Sequence, residues 1–392
     1  MGSCFYVDDI IALHLFSALL FFPSPSLFEK NRKKSPSVYY KFIIFYYNIL
    51  IPNNERSILM KILKVILKIF CIVLASVIVF FLLTWGVLSV ARFSIYPDYY
   101  TNGEAISKIP ALGDGFVPQG LSYHKESDTY IHSGYHGANI ELFLVNGDTV
   151  REIVLLTIDG KQATGHGDGV TIVGDYLYIA DCTGKSANRE GFLRVYRLAD
   201  ILNAKDGDAI READHVILGS PASFCFSDGS YMYVGEFYRA NNYETKEFHH
   251  LTTPAGDENK AIFLAYPLGA DGAITKDTRP EFAVSITSLV QGIAVTEDGT
   301  VMLSRSWGLN DSHIEFHSGW KDSGKEISIG DSNLPLYYLD SSTMTRDLIM
   351  PAFSEALIII DGKVAVSFES ACNKYIVGKF FFANKVVAFE ID

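Results

Sequence analysis

Five short apolar runs recur along the last three quarters of this chain of 392 residues, each opened by one polar residue. The runs begin at Gln119, Asp168, Ser223, Gln291 and Glu355. Each is followed by a tight turn of the chemistry that joins antiparallel strands. The turns are Glu126-Ser-Asp, Gly174-Asp, Asp228-Gly, Asp298-Gly and Asp361-Gly. A repeat of this kind favours an array of β-hairpins.

Further strands are predicted in every repeat. The second strands are Thr129–Gly134, Leu177–Asp181, Tyr231–Glu236, Val301–Arg305 and Lys363–Glu369. The third strands are Glu141–Val145, Phe192–Arg197, Ile262–Tyr266, Leu336–Leu339 and Val386–Glu390. Fourth strands follow in the first four repeats, at Glu152–Thr157, His215–Leu218, Glu281–Ile286 and Arg346–Met350. Four short antiparallel strands per repeat form the blade of a β-propeller.

The fifth repeat reaches Asp392 after three strands, and the missing fourth strand is found at the front of the array, in Glu104–Leu112. This strand would complete the last blade and remove the open sheet edge. We therefore predict an all-β fold, a five-bladed β-propeller over residues 104–392 that is closed by an N-terminal strand and preceded by one transmembrane helix. Six blades or a β-sandwich are the alternatives, but a sandwich does not predict complementarity between the two ends.

An uncharged run of 23 residues, Ile69–Ala91, precedes the propeller and is long enough to span a bilayer as a helix. Lys61, Lys64 and Lys68 come before it and Arg92 follows it, which places the propeller outside the cytoplasm. We predict a signal-anchor over residues 60–92 and a linker over 93–103, making a single-pass protein of the cell membrane. A cleaved secretory signal is the alternative.

Residues 1–59 read as translated leader or as a disordered segment. Met60 begins a stretch typical of exported proteins, and Glu55-Arg56-Ser57 can be encoded with a sequence that resembles a bacterial ribosome-binding site. We therefore predict that translation starts at Met60.

The charge and the cysteines restrict the classes of partner. A net charge of −12 argues against nucleic-acid binding, which needs clustered Lys and Arg. The five cysteines show no zinc spacing. Cys182 and Cys225 fall near the same end of neighbouring blades and allow one disulfide, with buried free thiols as the alternative. We expect a monomer with a small-molecule or glycan ligand.

The propeller topology predicts where a functional site lies. The starts of the inner strands, the ends of the second strands and the connections to the third strands all meet at one mouth of the central channel. We expect ligand-binding side chains there from Gln119, Tyr135, His136, Asp181, Ser223, Gln291, Trp307 and Glu355. Two long connections, at 237–260 and 306–335, would add His249, His250, Asn310, Asp311, His313, His317 and Trp320.

Two classes of function fit this mouth. In a metal-assisted hydrolase, Asp168 and Glu355 would ligate calcium, and the catalytic residues would come from His166, Asp168, Glu236, Arg305 and Glu369. A glycosidase with paired carboxylates is a variant of this hypothesis. A non-catalytic module that binds a ligand of the cell envelope is the alternative. The polar ring would be purely structural if its members only satisfied one another in a water-filled channel.

The inner strands that contain PQGL, HGDGV and VQGIAV resemble those of secreted propellers of the gluconolactonase-like, strictosidine synthase-like and paraoxonase-like superfamily. The resemblance extends over about residues 104–392 and implies a calcium-dependent hydrolase. Those families have six blades and carry Glu and Asn at the calcium ring, whereas the matching positions here include no Asn. The resemblance therefore predicts the fold more firmly than the metal.

Overall fold

The computed structural model describes residues 53–184, 186–218, 220–269, 272–322, 325–329 and 332–391. The chain divides into two compact units, one ending at Leu82 and the other comprising Leu83–Asp392. Helix α1 comprises Asn53–Ile95. Its portion Met60–Ile95 is, by length and composition, able to cross a membrane. Of the predicted leader, residues 1–52 lie outside the described residues. Its last residues, 53–59, form the start of α1.

The five predicted blades are present and follow one another in chain order. Blade 1 comprises β2 (Val117–His124), β3 (Thr129–His136), β4 (Asn139–Asn146) and β5 (Thr149–Leu156). Blade 2 comprises β6 (Gly169–Val173), β7 (Tyr176–Thr183), β8 (Glu190–Arg197) and β10 (Asp214–Ile217). Blade 3 comprises β11 (Phe224–Ser227), β12 (Tyr231–Gly235), β15 (Ala261–Pro267) and β16 (Phe282–Ile286). Blade 4 comprises β17 (Val290–Val295), β18 (Val301–Arg305), β19 (Ser312–His317) and β22 (Met344–Met350).

Blade 5 joins the two ends of the domain, as the sequence predicts. It comprises β23 (Ser354–Ile360), β24 (Lys363–Phe368), β25 (Lys385–Glu390) and the N-terminal strand β1 (Glu104–Lys108). β1 pairs antiparallel with β25, with Glu104 opposite Ala388 and Lys108 opposite Lys385. The edge of β25 is therefore covered by a strand from the other end of the domain.

Short elements lie outside this four-stranded pattern. They are β9 (Ala209–Arg211), β13 (Leu251–Thr252), β14 (Glu258–Asn259), β20 (Lys325–Ile329), β21 (Ser332–Tyr338) and helix α2 (Leu198–Asn203). β9 adds in parallel to β5, and β13 and β14 form a hairpin within the 237–260 connection.

The prediction for the third strand of blade 4 was wrong. That strand is β19, and the predicted Leu336–Leu339 overlaps β21, which extends blade 3 by parallel pairing with β16. The long insertion of this repeat therefore follows the third strand instead of preceding it. An apolar alternating segment reads the same whichever blade it joins, so the pattern alone cannot assign it.

The segment that we predicted as a linker, 93–103, packs against the propeller. After α1 ends at Ile95, a π-helical turn comprises Asp98–Asn102. Tyr96 and Tyr99 are buried in a core formed with blades 4 and 5. The Tyr99 hydroxyl donates to the Lys385 carbonyl at 3.1 Å, and its ring lies 4.9 Å from that of Phe368. The residues between α1 and β1 thus form part of the domain core.

The hydrophobic core lies between neighbouring blades. Leu142 and Ile153 of blade 1, for example, belong to one cluster with Leu177 and Ile179 of blade 2. A blade covered on both faces has nearly continuous apolar strands instead of an alternating pattern. Inner-strand residues of all five blades, among them Leu121, Val170 and Leu357, line a cavity of about 10 Å³ near the central axis, room for about one water molecule.

The disulfide that we considered between Cys182 and Cys225 is absent, because both residues are free thiols. The Cys182 sulfur accepts a hydrogen bond from the Ala222 amide at 3.1 Å. Cys225 is buried in the core between blades 2 and 3.

His132 on β3 makes the fold sensitive to acid. Its side chain is fully buried and neither ring nitrogen has a hydrogen-bond partner. Burial lowers the pKa of His132 from 6.5 to about 3. Below about pH 6.5 the unfolded chain binds a proton at this histidine that the folded chain does not. The free energy of unfolding therefore decreases by up to about 1.4 kcal/mol for each unit by which the pH is lowered.

We expect His132→Leu to remove this loss, so that the variant gains stability relative to the wild type as pH falls from 6.5 towards 3. Urea unfolding at a series of pH values measures the difference. His124→Asn provides the control, since the His124 side chain is partly exposed and, unlike that of His132, has hydrogen-bond partners. Parallel curves for the wild type and His132→Leu would show that the histidine is not buried in its neutral form.

Candidate functional site

The tight loop Gly165–Gly169 presents His166 at the mouth. Gly165 has φ +143°, and a Cβ there would lie 1.8 Å from Asp181 Oδ2, so the close approach requires glycine. The His166 side chain is 52% exposed. Its ring stacks on that of Tyr135 with centroids 4.7 Å apart, and its Nδ1 lies 3.5 Å from Asp168 Oδ1. The Asp168 carboxylate raises the pKa of His166, against the opposing effect of burial.

Glu355 and Glu369 form a buried carboxyl pair beneath the mouth. They are 2% and 7% exposed. Gln291 donates to Glu355 and Gln119 donates to Glu369, each at 3.2 Å. Burial, followed by the charges of Glu369 and Asp168, raises the pKa of Glu355 well above its usual range. Burial also raises the pKa of Glu369 to about 8. The pair therefore retains a proton at neutral pH.

Lys374 is the cation of this site, and the sequence analysis did not identify it. It lies in the connection between β24 and β25, and its ammonium donates to the Tyr135 hydroxyl. The Nζ lies 4.6 Å from the Tyr135 ring centroid and 5.1 Å from that of Tyr375. Its charge lowers the pKa of Glu369, partly offsetting burial. The length of this connection, about fifteen residues directly after Glu369, was the signal available, since long connections are usually functional.

Asp181 lies under the His166 loop and not on the surface of the mouth. It is 2% exposed and accepts hydrogen bonds from the Cys182 amide at 2.9 Å and the His166 amide at 3.4 Å. Arg194 lies 3.8 Å from its second oxygen. Burial and then the charge of Asp168 raise the pKa of Asp181 to about 7. The carboxyl group supports the loop that carries His166.

Glu236 and Arg305 have other partners. Glu236 is fully buried, and both of its oxygens lie within 3.0 Å of His249 Nδ1. Arg305 donates from Nε to Glu315 at 2.6 Å. The structure therefore does not bring these two predicted catalytic residues to the His166 cluster.

The remaining predicted ligand-binding residues differ in how accessible they are to a ligand. Ser223 is buried and accepts from Arg189 at 3.4 Å. His136 is exposed beside Glu141, with 3.4 Å between the nitrogen and the oxygen. Trp307 lies under the Arg239 guanidinium, 4.1 Å from its carbon, so one ring face is already covered.

The histidines and the tryptophan of the predicted 306–335 connection have hydrogen-bond partners within the domain. His313 pairs with Asp347 at 2.9 Å, His317 with Thr343 at 2.9 Å, and Trp320 donates to the Gly299 carbonyl at 2.8 Å. Gly299 belongs to the turn between β17 and β18, at the end of blade 4 opposite the mouth. The prediction that Trp320 contributes to the mouth was therefore wrong, for the same reason as the misassigned third strand.

The predicted calcium ligands Asp168 and Glu355 do not belong to a cluster of three metal-binding side chains. Within the described ranges, no three His, Cys, Asp or Glu residues come together in a way that would hold an ion. One Glu355 oxygen already accepts a hydrogen bond from Gln291. Calcium at this position stays a prediction, which the metal content of the purified full chain tests.

Comparison with known proteins identifies no specific family. No family model matches the chain, and no curated protein matches it. A PQQ-bound aldose sugar dehydrogenase from Streptomyces coelicolor is 13% identical, with 73% of this chain and 95% of that chain covered and a TM-score of 0.41. A gluconolactonase from Xanthomonas campestris is 11% identical, with 68% and 86% covered and a TM-score of 0.29.

A third similar structure, described as an oxidoreductase (glucose dehydrogenase) from Thermus thermophilus, is 12% identical, with 73% of this chain and 98% of that chain covered and a TM-score of 0.35. At these values the likeness does not identify a reaction. The function of this chain has to be inferred from its own site.

Proposed function

We propose that the propeller is a hydrolase-like enzyme that uses acid–base chemistry on a small polar molecule or glycan at the channel mouth. The observation that carries the proposal is the exposed His166, paired with Asp168, above the buried Glu355–Glu369 carboxyl pair. Titratable groups whose pKa values are shifted by burial and by one another, and which lie together, are candidates for an acid–base centre.

Each group has a distinct part in this proposal. His166 is accessible to a ligand, and its raised pKa favours the protonated form, so it would act as a general acid. Glu369 retains its proton near neutral pH and would supply a second acid below the ligand. Lys374 stands at the rim and would attract an anionic group. Tyr135 is buried, and its ring is stacked on His166 while its hydroxyl accepts from Lys374, so it would position these two side chains.

The helix Met60–Ile95 would hold this enzyme at a membrane. Its apolar run passes the length needed for a bilayer span. The excess of lysine before the run supports an orientation with the propeller outside the cytoplasm. We propose a single-pass anchored protein whose mouth faces the extracytoplasmic space.

A substrate screen with matched variants tests the proposed activity. The purified full chain in detergent is assayed against panels of lactones, aryl esters, aryl phosphoesters and aryl glycosides. We expect turnover in one class and a loss of about 100-fold or more in kcat/KM for His166→Asn. His124→Asn is the control, because His124 lies at the opposite end of blade 1 and also has a carboxylate neighbour, Glu126, at 3.1 Å. Turnover that survives His166→Asn would refute the assigned acid.

A binding module is the second candidate. The observation in its favour is that both buried carboxyls already accept hydrogen bonds from glutamine side chains. A purely structural or binding role would show the same satisfied ring. In that case the four panels give no turnover, whereas glycans or envelope fragments raise the melting temperature of the chain.

A further inference from the structure

The connection between β24 and β25 exposes a compact apolar surface, which we call the apolar loop, residues 376–382. Ile376 is 78% exposed, Val377 47% and Phe382 38%. A short 3-10 helix, Ile376–Phe380, holds the first two on one turn. Other strongly exposed apolar residues of the propeller, such as Ile158 and Ile217, do not share one connection in this way. Scattered apolar residues need no explanation, but a cluster marks a site of interaction.

The apolar loop contacts the end of the apolar helix within the second compact unit. The Phe380 ring lies 5.7 Å from the ring of Trp85, which is itself 45% exposed. The Phe381 ring lies 6.2 Å from that of Tyr96, and the Phe381 carbonyl accepts a hydrogen bond from Tyr100. Trp85 belongs to the uncharged run of the helix. The loop therefore lies beside the last turns of the segment that is able to cross a bilayer.

The residues around this contact have the composition of a membrane interface. Trp and Tyr are enriched where a span leaves the hydrocarbon layer, and Lys and Arg extend their charged ends to the phosphates. The helix contributes Trp85 and Arg92, and the π-helical turn after it contributes Tyr100, whose ring lies 4.9 Å from the Arg92 guanidinium. The loop contributes Lys379, whose ammonium donates to the Asn373 side chain. Both basic residues would lie at the level of the lipid headgroups.

We propose that the apolar loop docks into the interfacial layer of the bilayer that the helix crosses. Ile376, Val377 and Phe382 would be immersed at the boundary between headgroups and acyl chains, about 5–10 Å deep. The inference rests on the proposed membrane anchor. Because Lys374 and Tyr375 directly precede Ile376, docking places the blade 5 side of the mouth next to the headgroups. A ligand presented at the membrane surface then reaches the site directly.

Depth-dependent quenching of a fluorophore tests this proposal on the full chain. Cys4→Ser and Cys71→Ser remove the cysteines outside the propeller core. An environment-sensitive dye is then attached at one of three new cysteines, Ile376→Cys in the loop, Val79→Cys in the helix or Ile217→Cys on blade 2. The chains are reconstituted into phosphatidylcholine–phosphatidylglycerol vesicles whose lipids carry a quencher either near the headgroup or in the middle of the acyl chain. Ile217 is the matched control, because it is also apolar and 58% exposed.

We expect headgroup-level quenchers to reduce the emission at position 376 several-fold more than at 217, and mid-chain quenchers to act most strongly at 79. Quenching at 79 with equal, weak quenching at 376 and 217 would overturn the docking of the loop and leave the anchor intact. No quenching at 79 would overturn the membrane anchor and the docking together. In neither case would the assay of His166→Asn be affected, so a failure here is separable from a failure of the proposed chemistry.

Discussion

A chain that lacks Glu104–Leu112 is expected to lose the folded propeller. The deletion removes β1, exposes the edge of β25 and takes the buried Ile109 out of the core that blades 4 and 5 share. Burial of one such isoleucine is worth about 1.5–3 kcal/mol, and the lost ladder and exposed core add to this. The total free energy of unfolding of a domain is only about 5–15 kcal/mol. We expect no cooperative thermal transition in detergent, as followed by near-ultraviolet circular dichroism.

Glu104→Gln is the control for this deletion. It changes the same strand but affects only an exposed ion pair with Lys363, 2.9 Å long, and such pairs contribute under about 1 kcal/mol. The closure would be refuted by a deletion chain that melts at the same temperature as the wild type. The propeller would then be held together without its N-terminal strand.

Glu369→Gln is expected to stabilise the protein in alkaline solution while abolishing the proposed activity. The ordinary pKa of the carboxyl group is 4.5, and burial raises it to about 8 in the folded state. Between these values the folded chain holds a proton that the unfolded chain has released, so the free energy of unfolding of the wild type falls as pH rises. The slope is up to about 1.4 kcal/mol per pH unit. A neutral amide removes this loss and can still accept the hydrogen bond from Gln119.

The measurement is denaturant unfolding from pH 5 to pH 9 for the wild type, Glu369→Gln and the control Glu126→Gln. Glu126 is exposed at the far end of blade 1. We expect the gain of Glu369→Gln over the wild type to grow with pH and to level off above about pH 8. A constant difference across this range would mean that Glu369 is ionised throughout, and Glu369 could not supply a proton to a substrate.

The stability lost at Glu369 and the proposed chemistry have the same origin. Two carboxyl groups held apart from water repel each other when both are ionised, and an isolated domain would be more stable without one of them. Sites of this kind are retained where a shifted pKa is useful. The prediction for Glu369→Gln therefore links stability and activity through one residue.

Much of the fold could be predicted from the sequence, because hairpin turns and apolar runs are local signals. Asp298-Gly and Asp361-Gly determine where two strands reverse, whatever they later pack against. The closure by Glu104–Leu112 was also predictable, since a repeat with three strands requires a fourth. The order of β19 and β21 was not, because an edge strand can join either of two neighbouring blades and the choice depends on which surfaces fit.

The site was only partly predictable. His166, Asp168, Glu355 and Glu369 were identified because propeller topology brings the starts of inner strands and the ends of second strands to one mouth. Their pKa shifts depend on burial and on distances to other charges, which the order of residues does not specify. For the same reason, sequence could not show that Glu236 pairs with His249 or that Arg305 pairs with Glu315.

The sequence by itself determined the number of blades, the closing strand and the apolar helix, because each strand and the helix follow from local patterns and the blades follow from counting the repeats. Only the tertiary structure decided that Lys374 balances the buried carboxyl pair and that Phe380 lies against Trp85. Those contacts join residues far apart in the chain, and they arise from how closed blades and long connections pack in three dimensions.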